Sequence, residues 1–191
     1  MRLLAFSSRQ RIGALAVACA AALAPLAALA ATASPAGPEV AVAAASVPKC
    51  STSGLVVWLD TQGNGTAGSI YYNLEFSNLS GQACMLLGYP GVSAVNLRGH
   101  QLGSAASRNG TKKPAAVTLA RDGTANVVLQ IVEAGNYPTA ACRLTNAAGL
   151  RVYPPNQKAS KVVPFVFQSC SRSGPIYLSV QSVQKGTGAT Q

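Results

Sequence analysis

Apolar and polar residues alternate in short runs along most of this chain. Between Ile70 and Phe76 every second residue is apolar, whereas Asn73 and Glu75 fall on the opposite face. This period of two is typical of a β-strand with one buried face, and no window of a dozen residues has the apolar stripe of a helix. Similar runs predict further strands at Leu55–Leu59, Val92–Leu97, Gln101–Leu102, Val117–Leu119, Thr124–Val132, Leu150–Tyr153, Val162–Phe167 and Ile176–Val180.

Turn-forming residues separate these runs. Gly63–Gly65 predicts a loop after the first strand, and Arg98–His100 predicts a hairpin turn. Arg121–Gly123 contains the strongest two-residue turn signal of the chain, and Pro154–Pro155 marks a further loop. About eight short strands spaced in this way predict an all-β protein, an antiparallel, immunoglobulin-like β-sandwich.

The first 33 residues have the features of an export signal. Three arginines precede an almost wholly apolar, alanine-rich stretch at residues 12–30, and small residues around Ala30 and Ala33 suit signal peptidase. The stretch is weakly hydrophobic and interrupted by Pro25, which disfavours a membrane-spanning helix. We therefore expect residues 1–33 to be a signal peptide, with no integral membrane span after its removal.

Composition divides the rest of the chain into three parts. Residues 34–48 are rich in alanine, proline and valine without a period, which predicts a flexible tether. Residues 49–185 are long enough for one β-sandwich domain with its own core. Residues 186–191 predict a frayed tail.

The five cysteines fit this division. Cys19 lies in the predicted leader, so the body retains an even number: Cys50, Cys84, Cys142 and Cys170. An even count in an exported domain predicts disulfides, and the absence of a Cys-x2-Cys pair disfavours zinc. Four cysteines allow three pairings, of which the spacing favours Cys50 with Cys84 and Cys142 with Cys170.

Cys19 also allows a lipoprotein interpretation. It follows Leu15-Ala16-Val17-Ala18, which places the leucine one position too far upstream for a lipobox, and another apolar run follows at once. We therefore expect a secreted or cell-wall associated protein, with lipid anchoring through Cys19 as the disfavoured alternative.

The basic charge is spread thinly. The chain has 15 Lys and Arg against five acids, and removal of three leader arginines leaves a net charge of +7. Lys112–Lys113 is the only adjacent basic pair, and no aromatic residues are interleaved with it. This pattern argues against nucleic acid. It fits a solvated basic surface, or contact with an anionic cell-wall polymer or lipid headgroups.

Residues for catalysis are few. His100 is the single histidine, and no Gly-x-Ser-x-Gly element accompanies it. Paired carboxylates for glycoside hydrolysis and a glycine-rich phosphate loop are not indicated. We expect no enzyme activity, no cofactor and no metal. The acids are Glu39 in the tether and Asp60, Glu75, Asp122 and Glu133 in the body.

Aromatic residues offer a possible binding surface. By parity Trp58 shares a face with Val56, while Tyr71 and Tyr177 lie opposite the main apolar rows of their strands. Exposed aromatic side chains bind sugar rings or protein partners. Packing in the core or on the sheet surface is nevertheless the favoured interpretation for all three.

The most distinctive element is Gly88-Tyr89-Pro90-Gly91. Pro90 restricts Tyr89 to extended geometry, and the two glycines are free to adopt positive φ. The element therefore predicts a rigid corner between two strands, with Tyr89 as a possible platform.

Together with Asn78-Leu79-Ser80-Gly81 and Cys84, this corner resembles the pattern of the actinobacterial "domain of unknown function 4232" family. The resemblance extends over nearly the whole body and implies an exported or lipid-anchored envelope protein with an immunoglobulin-like sandwich. It also implies the same disulfide pairing. The leader departs from lipidated members, which have a clear lipobox.

The resemblance implies no activity. We therefore expect a non-enzymatic binding or interaction module of the cell envelope, whose partner is an anionic cell-wall polymer or an envelope protein. A purely structural or protein-interaction domain is the first alternative, and a hydrolase with an unrecognised site is the second.

Overall fold

The computed structural model of the chain describes residues 46–188, whose regular secondary structure is almost entirely β-strand. The predicted leader with Cys19, the tether before residue 46 and the last three residues of the predicted tail lie outside the described residues. The strands are β1 (Leu55–Thr66), β2 (Ser69–Asn78), β3 (Cys84–Leu87), β4 (Gly91–Val95), β5 (Gln101–Leu102), β6 (Ser107–Arg108), β7 (Ala116–Leu119), β8 (Thr124–Val132), β9 (Leu144–Tyr153), β10 (Lys161–Cys170), β11 (Leu178–Val180) and β12 (Gln184–Lys185).

Two larger sheets and one two-stranded ladder organise these strands. The first sheet has the order β1-β2-β8-β11-β6, with β12 also paired to β8, and the second has the order β10-β9-β4-β5. β3 pairs with β7 alone, and every strand pairing is antiparallel except β11 with β6. The all-β, antiparallel prediction is confirmed. Among the described residues there are twelve strands instead of about eight, and three of them are only two residues long. The immunoglobulin-like arrangement and the domain limits stay predictions.

The two described helical segments are short. A 3-10 turn spans Ala134–Asn136, and a single α-helical turn, α1, spans Thr139–Cys142. Neither is long and apolar enough to cross a membrane.

The inward faces of the two larger sheets share one apolar core. Leu74 and Phe76 of β2 are fully buried, as their alternation predicts. Tyr72, on the same face, is half-buried and packs edge-on against Phe165 of β10, with 5.0 Å between ring centroids. The most deeply buried apolar residues from both sheets include Leu55, Leu129, Leu150, Val92, Val127, Val152 and Leu178.

The hairpin between β1 and β2 turns later than the sequence predicts. Gly63–Gly65 was expected to form a loop, but it belongs to β1, and the turn falls at Ala67–Gly68, where φ is 46° and 76°. Cross-strand pairing with β2 continues to the end of β1 after a register shift. A Cβ on Gly63 would lie 2.5 Å from the Tyr72 ring, so glycine is required there by packing and not by a turn.

The predicted turn at Arg121–Gly123 is present, but it does not close a hairpin. β7 before it pairs with β3, whereas β8 after it pairs with β2, so the turn passes between sheets. Asp122 has a φ of 59°, and its N–H donates to the Asn78 carbonyl at 2.9 Å. The Asn78 N–H donates in return to the Gly123 carbonyl at 2.9 Å.

The Asn78 side chain is fully buried where β2, β3 and β7 meet. Its Nδ2 donates to the carbonyls of Gln82 at 2.8 Å and Ala120 at 3.0 Å, with a longer contact of 3.3 Å to Leu119. Its Oδ1 accepts from the N–H of Ser80 at 3.0 Å and from its Oγ at 2.7 Å. The amide therefore joins the first sheet to the β3–β7 ladder.

Both predicted disulfides are present. Cys142–Cys170 joins α1 to the end of β10, and Cys50–Cys84 joins the segment before β1 to the start of β3. Next to the Cys50–Cys84 disulfide, Lys49 forms a parallel β-bridge with Met85. The Met85 N–H donates to Pro48 at 2.8 Å, and the Cys50 N–H donates to Met85 at 3.0 Å.

Glu75 lies on the polar face of β2, as predicted, yet it is only 1% exposed. The chain after β12 covers it, and the Gly188 N–H donates to Glu75 Oε1 at 2.7 Å. Glu75 Oε2 is buried without a hydrogen-bond partner among the described residues. Asn126 Nδ2 also holds this segment, through the Gly186 carbonyl at 2.9 Å. Residues 186–188 of the predicted tail therefore pack on the sheet.

Removing the Cys142–Cys170 bridge should destabilise the fold. A bridge that closes a loop of this length, with a sequence separation of 28, restricts the unfolded chain and contributes about 3.5 kcal/mol. We expect the double substitution Cys142→Ala/Cys170→Ala to lower the free energy of unfolding by about that amount in urea titrations. A loss below about 1 kcal/mol would contradict this account of the bridge.

Truncating Asn78 should be costly because its hydrogen-bonded side chain is fully buried. Asn78→Ala removes the amide that donates to the Gln82 and Ala120 carbonyls and accepts twice from Ser80, and we expect a loss of about 3 kcal/mol in urea unfolding. Asn109→Ala is the matched control, since Asn109 Oδ1 accepts one exposed bond from the Thr111 N–H. That control should change stability by less than about 0.5 kcal/mol. Equal effects of both substitutions would refute the role of Asn78.

Glu75 should make the stability depend on pH. Burial raises the pKa of its carboxyl, the Gly188 N–H lowers this pKa, and the Asp60 charge raises it, for a net increase above 4.5. The folded chain therefore holds the proton more tightly than the unfolded chain, and stability falls as pH rises from about 4.5 through the folded-state pKa. We expect Glu75→Gln to remove this fall in stability. At neutral pH the free energy of unfolding of this variant should exceed that of the wild type.

Urea titrations across pH 4–8, with Glu133→Gln as the exposed control, measure this effect. A wild-type curve parallel to that of Glu75→Gln across the range would overturn the prediction.

Candidate functional site

The Gly88–Gly91 corner joins the end of β3 to the start of β4. Gly88 has a φ of 100°, a conformation that L-residues rarely adopt, and its carbonyl accepts the Val183 N–H at 2.9 Å. Pro90 is buried beneath the corner. The backbone of the corner is thus restricted by its own proline and glycine residues. A hydrogen bond from the segment between β11 and β12 also holds it.

An open groove of about 540 Å³ lies along this corner. We call it the corner groove. It is bounded by β3, β4, β6 and the loop after β9. Its lining residues are Leu87, Gly88, Tyr89, Gly91, Arg108, Pro114, Tyr153, Pro154, Asn156 and Gln157.

Two tyrosine rings lie in the corner groove. Tyr89 is half-buried, and its hydroxyl donates to the Lys112 carbonyl at 3.4 Å. Tyr153 is the cross-strand partner of Gly91, and a Cβ on Gly91 would lie 3.5 Å from the Tyr153 ring. The ring therefore packs beside a backbone position that has no side chain, which leaves space in the groove.

A cation stands next to the first ring. The Arg108 guanidinium carbon lies 5.6 Å from the centroid of Tyr89, a cation–π distance. Arg108 is placed there by the parallel pairing of β6 with β11, where Val180 is its partner. Its side chain is exposed, so the guanidinium remains able to bind an anion.

The opposite wall is formed by the loop after β9. Asn156 adopts a φ of 60°, and its Nδ2 donates to the Leu87 carbonyl at 2.9 Å, which ties this loop to the end of β3. The Gln157 N–H donates to Pro154 at 3.0 Å and closes the loop on itself. The described lining includes no acidic residue. The groove therefore offers ring faces, amide groups and one cation to a ligand.

The candidate residues for catalysis are not brought together. His100 is exposed in the β4–β5 turn, and its N–H donates to Asn96 Oδ1 at 2.9 Å. Asp122 forms an exposed ion pair with Arg121 at 3.6 Å, and Glu75 is buried under the C-terminal segment. Within residues 46–188 no group of three or more His, Cys, Asp or Glu side chains is placed to hold a metal ion.

The other aromatic candidates divide between surface and core. Trp58 and Val56 are 42% and 44% exposed on one face of β1, so their shared face is confirmed. For Tyr177 the favoured interpretation, packing in the core, is confirmed and exposure to solvent is wrong: the side chain is fully buried, and its hydroxyl donates to the Leu102 carbonyl at 3.1 Å. Burial raises the pKa of Tyr177 to about 12. Gly103 makes room for it, since a Cβ there would lie 2.9 Å from the ring.

The sequence marks Tyr89 as part of a rigid corner and disfavours it as a binding platform, and it gives no indication of Arg108 or Tyr153. Arg108 lies in a two-residue strand without a period, and its neighbour β11 is about 70 residues away along the chain. Tyr153 stands directly before the Pro154–Pro155 loop, and that position is the single local signal that could have marked it.

Comparisons with known proteins give one match. No curated protein matches the chain, and no solved structure matches it. The model of the family described as "Domain of unknown function (DUF4232)" matches residues 50–186, a range that includes all four disulfide cysteines and the Gly88–Gly91 corner. The chain therefore belongs to the DUF4232 family.

Proposed function

We propose that this protein is an exported, non-catalytic binding module of the cell envelope, and that its corner groove binds an anionic polymer. The observation that carries the proposal is the pairing of an exposed Arg108 with the rings of Tyr89 and Tyr153 in one groove. Ring faces stack on sugars, and a guanidinium binds phosphate or carboxylate groups.

Charge supports the same ligand class. Among residues 46–188, twelve Lys and Arg side chains face four acids, which gives a net charge of +8. Lys112 lies directly at the groove, since its carbonyl accepts from Tyr89, and Lys113 follows it. Lys158 lies in the loop after β9, directly after the groove residue Gln157. These three lysines add to the positive charge on the chain segments next to the groove.

Rigidity supports binding instead of catalysis. The corner backbone is fixed by Pro90, by the Val183–Gly88 bond and by the Asn156–Leu87 bond. A pre-formed groove spares a ligand the cost of ordering it. No histidine, acid or cysteine lies among its lining residues to act as base or nucleophile.

A second candidate function is protein interaction through β1. This strand is an edge of the first sheet, and Val56 and Trp58 expose a small apolar surface there. An envelope protein that pairs with this edge would leave the corner groove free. Trp58→Ala would then weaken capture of that protein without affecting polymer binding.

The polymer proposal predicts selective retention. We expect the protein to bind a purified bacterial cell-wall fraction and dextran sulfate, but not uncharged dextran, at low salt. Arg108→Gln and Tyr153→Ala should each weaken binding about tenfold, the effect of losing one good contact. Arg121→Gln is the matched control, because it removes the same charge from an exposed turn outside the groove.

Two outcomes would refute the proposal. One is no retention on the wall fraction at either low or high salt. The other is an equal loss for Arg108→Gln and Arg121→Gln, which would mean that net charge alone causes the binding. Melting curves of each variant exclude unfolding as the cause of a loss.

A further inference from the structure

The turn between β4 and β5 holds a leucine out in solvent. Leu97 is 95% exposed, the largest value among the large hydrophobic residues described. Its turn is rigid, because Asn96 Oδ1 accepts the N–H groups of Arg98 at 3.0 Å and His100 at 2.9 Å. The Gly99 N–H donates to the Asn96 carbonyl at 2.8 Å. The conformation of this tip is therefore already fixed before any partner binds.

A second apolar side chain is exposed near this tip. Val166 is 76% exposed and lies where the pairing of β10 with β9 shifts register, between Pro164 and Phe167. Such an irregularity turns a side chain that strict alternation would place elsewhere. Leu97 and Val166 line one open groove of about 410 Å³, together with Ala147 and Ala148.

Basic and polar groups border this groove, which we call the hairpin groove. Arg98 and His100 line it on the side of the turn, and Asn146 lines it on the side of β9. Arg151 stabilises the turn, since its guanidinium donates to the Gly99 carbonyl. No acidic residue is among the described lining residues.

We propose that the hairpin groove is a docking surface for an anionic lipid bilayer. Leu97 and Val166 enter the boundary between headgroups and acyl chains, and Arg98 and His100 contact lipid phosphates. Apolar burial together with attraction to anionic headgroups is the usual basis of interfacial binding. The proposal does not depend on polymer binding at the corner groove.

The backbone of the turn suits this environment. Peptide groups that leave water without a partner oppose entry into a lipid interface. Here the N–H groups of Asn96, Arg98, Gly99 and His100 are all bonded within the turn, the first of them to the His100 carbonyl at 2.9 Å. Leu97 can therefore enter the interface with few unpaired groups beside it.

Charge favours a bilayer over a second copy of the chain. Two copies joined through this surface would bring Arg98 and His100 of one against the same cationic and polar groups of the other, which disfavours self-association. An anionic bilayer instead attracts the net charge of +8 of the described residues.

The test places a fluorescent reporter at the tip. In a Trp58→Phe background, which removes the one natural tryptophan, Leu97→Trp puts an indole at the proposed point of entry. With phosphatidylglycerol-rich vesicles we expect its emission to shift to shorter wavelength and to be quenched by brominated acyl chains. Pure phosphatidylcholine vesicles should give no shift. Because the reporter is local, contact of another part of the chain with lipid does not produce the signal.

Matched variants separate the proposed contact from general attraction. Leu79→Trp in the same background is the control, because Leu79 is also exposed, at 59%, but lies in the turn after β2. Adding Arg98→Gln to the Leu97→Trp chain should raise the lipid concentration needed for half of the shift about tenfold. Arg121→Gln should not raise it.

Three results would overturn the proposal. The first is no shift for Leu97→Trp on phosphatidylglycerol-rich vesicles. The second is an equal shift for Leu79→Trp. The third is a shift that appears without lipid as protein concentration rises, which would assign the surface to a second copy. Substitutions at Arg108 and Tyr153 should leave the signal unchanged, so failure of polymer binding is distinguishable from failure of lipid binding.

Discussion

The side-chain amide of Asn78 holds together parts of the protein that share no strand pairing. Its Nδ2 reaches carbonyls before β3 and after β7, while its own backbone belongs to β2. The β3–β7 ladder has no strand neighbour in either larger sheet. The position of the ladder therefore depends on this buried amide, on the turn that passes between sheets and on the Cys50–Cys84 bridge. Because β3 runs directly into the corner, the shape of the corner groove depends on the same contacts.

Alternation predicted most of the strands because it records which face of a strand is buried. It does not record what covers the other face. Glu75 lies on the polar side of β2 and is nevertheless buried, because the chain after β12 folds over it. Tyr177 lies opposite an apolar row and is buried beside Gly103. The burial of both side chains has one cause: the covering segment is distant along the chain, and no local pattern describes it.

The candidate site shows the same division between local and distant information. Gly88–Gly91 could be recognised from sequence because proline and glycine have strong backbone preferences of their own. Arg108 could not, because its place follows from the pairing of two short strands far apart in the chain. Turn chemistry likewise located Arg98–His100 correctly, but it gave no reason to expect that Leu97 would remain in solvent near Val166. Except for the turn between β1 and β2, local preferences thus indicated where these loops are, and long-range pairing determined which side chains they expose.

The parallel β-bridge between Lys49 and Met85, next to the Cys50–Cys84 disulfide, affects how the domain bears a pulling force. A pulling force on the chain before residue 48 would first meet the paired segment Pro48–Cys50, whose two hydrogen bonds to Met85 would be sheared together. One residue further on, the Cys50–Cys84 bond would pass the force covalently to the start of β3. The force would then reach β3 without passing through β1. If the preceding residues are the tether they are predicted to be, tension along it would reach the β3–β7 ladder through this covalent bond and not through the hydrogen bonds between β1 and β2.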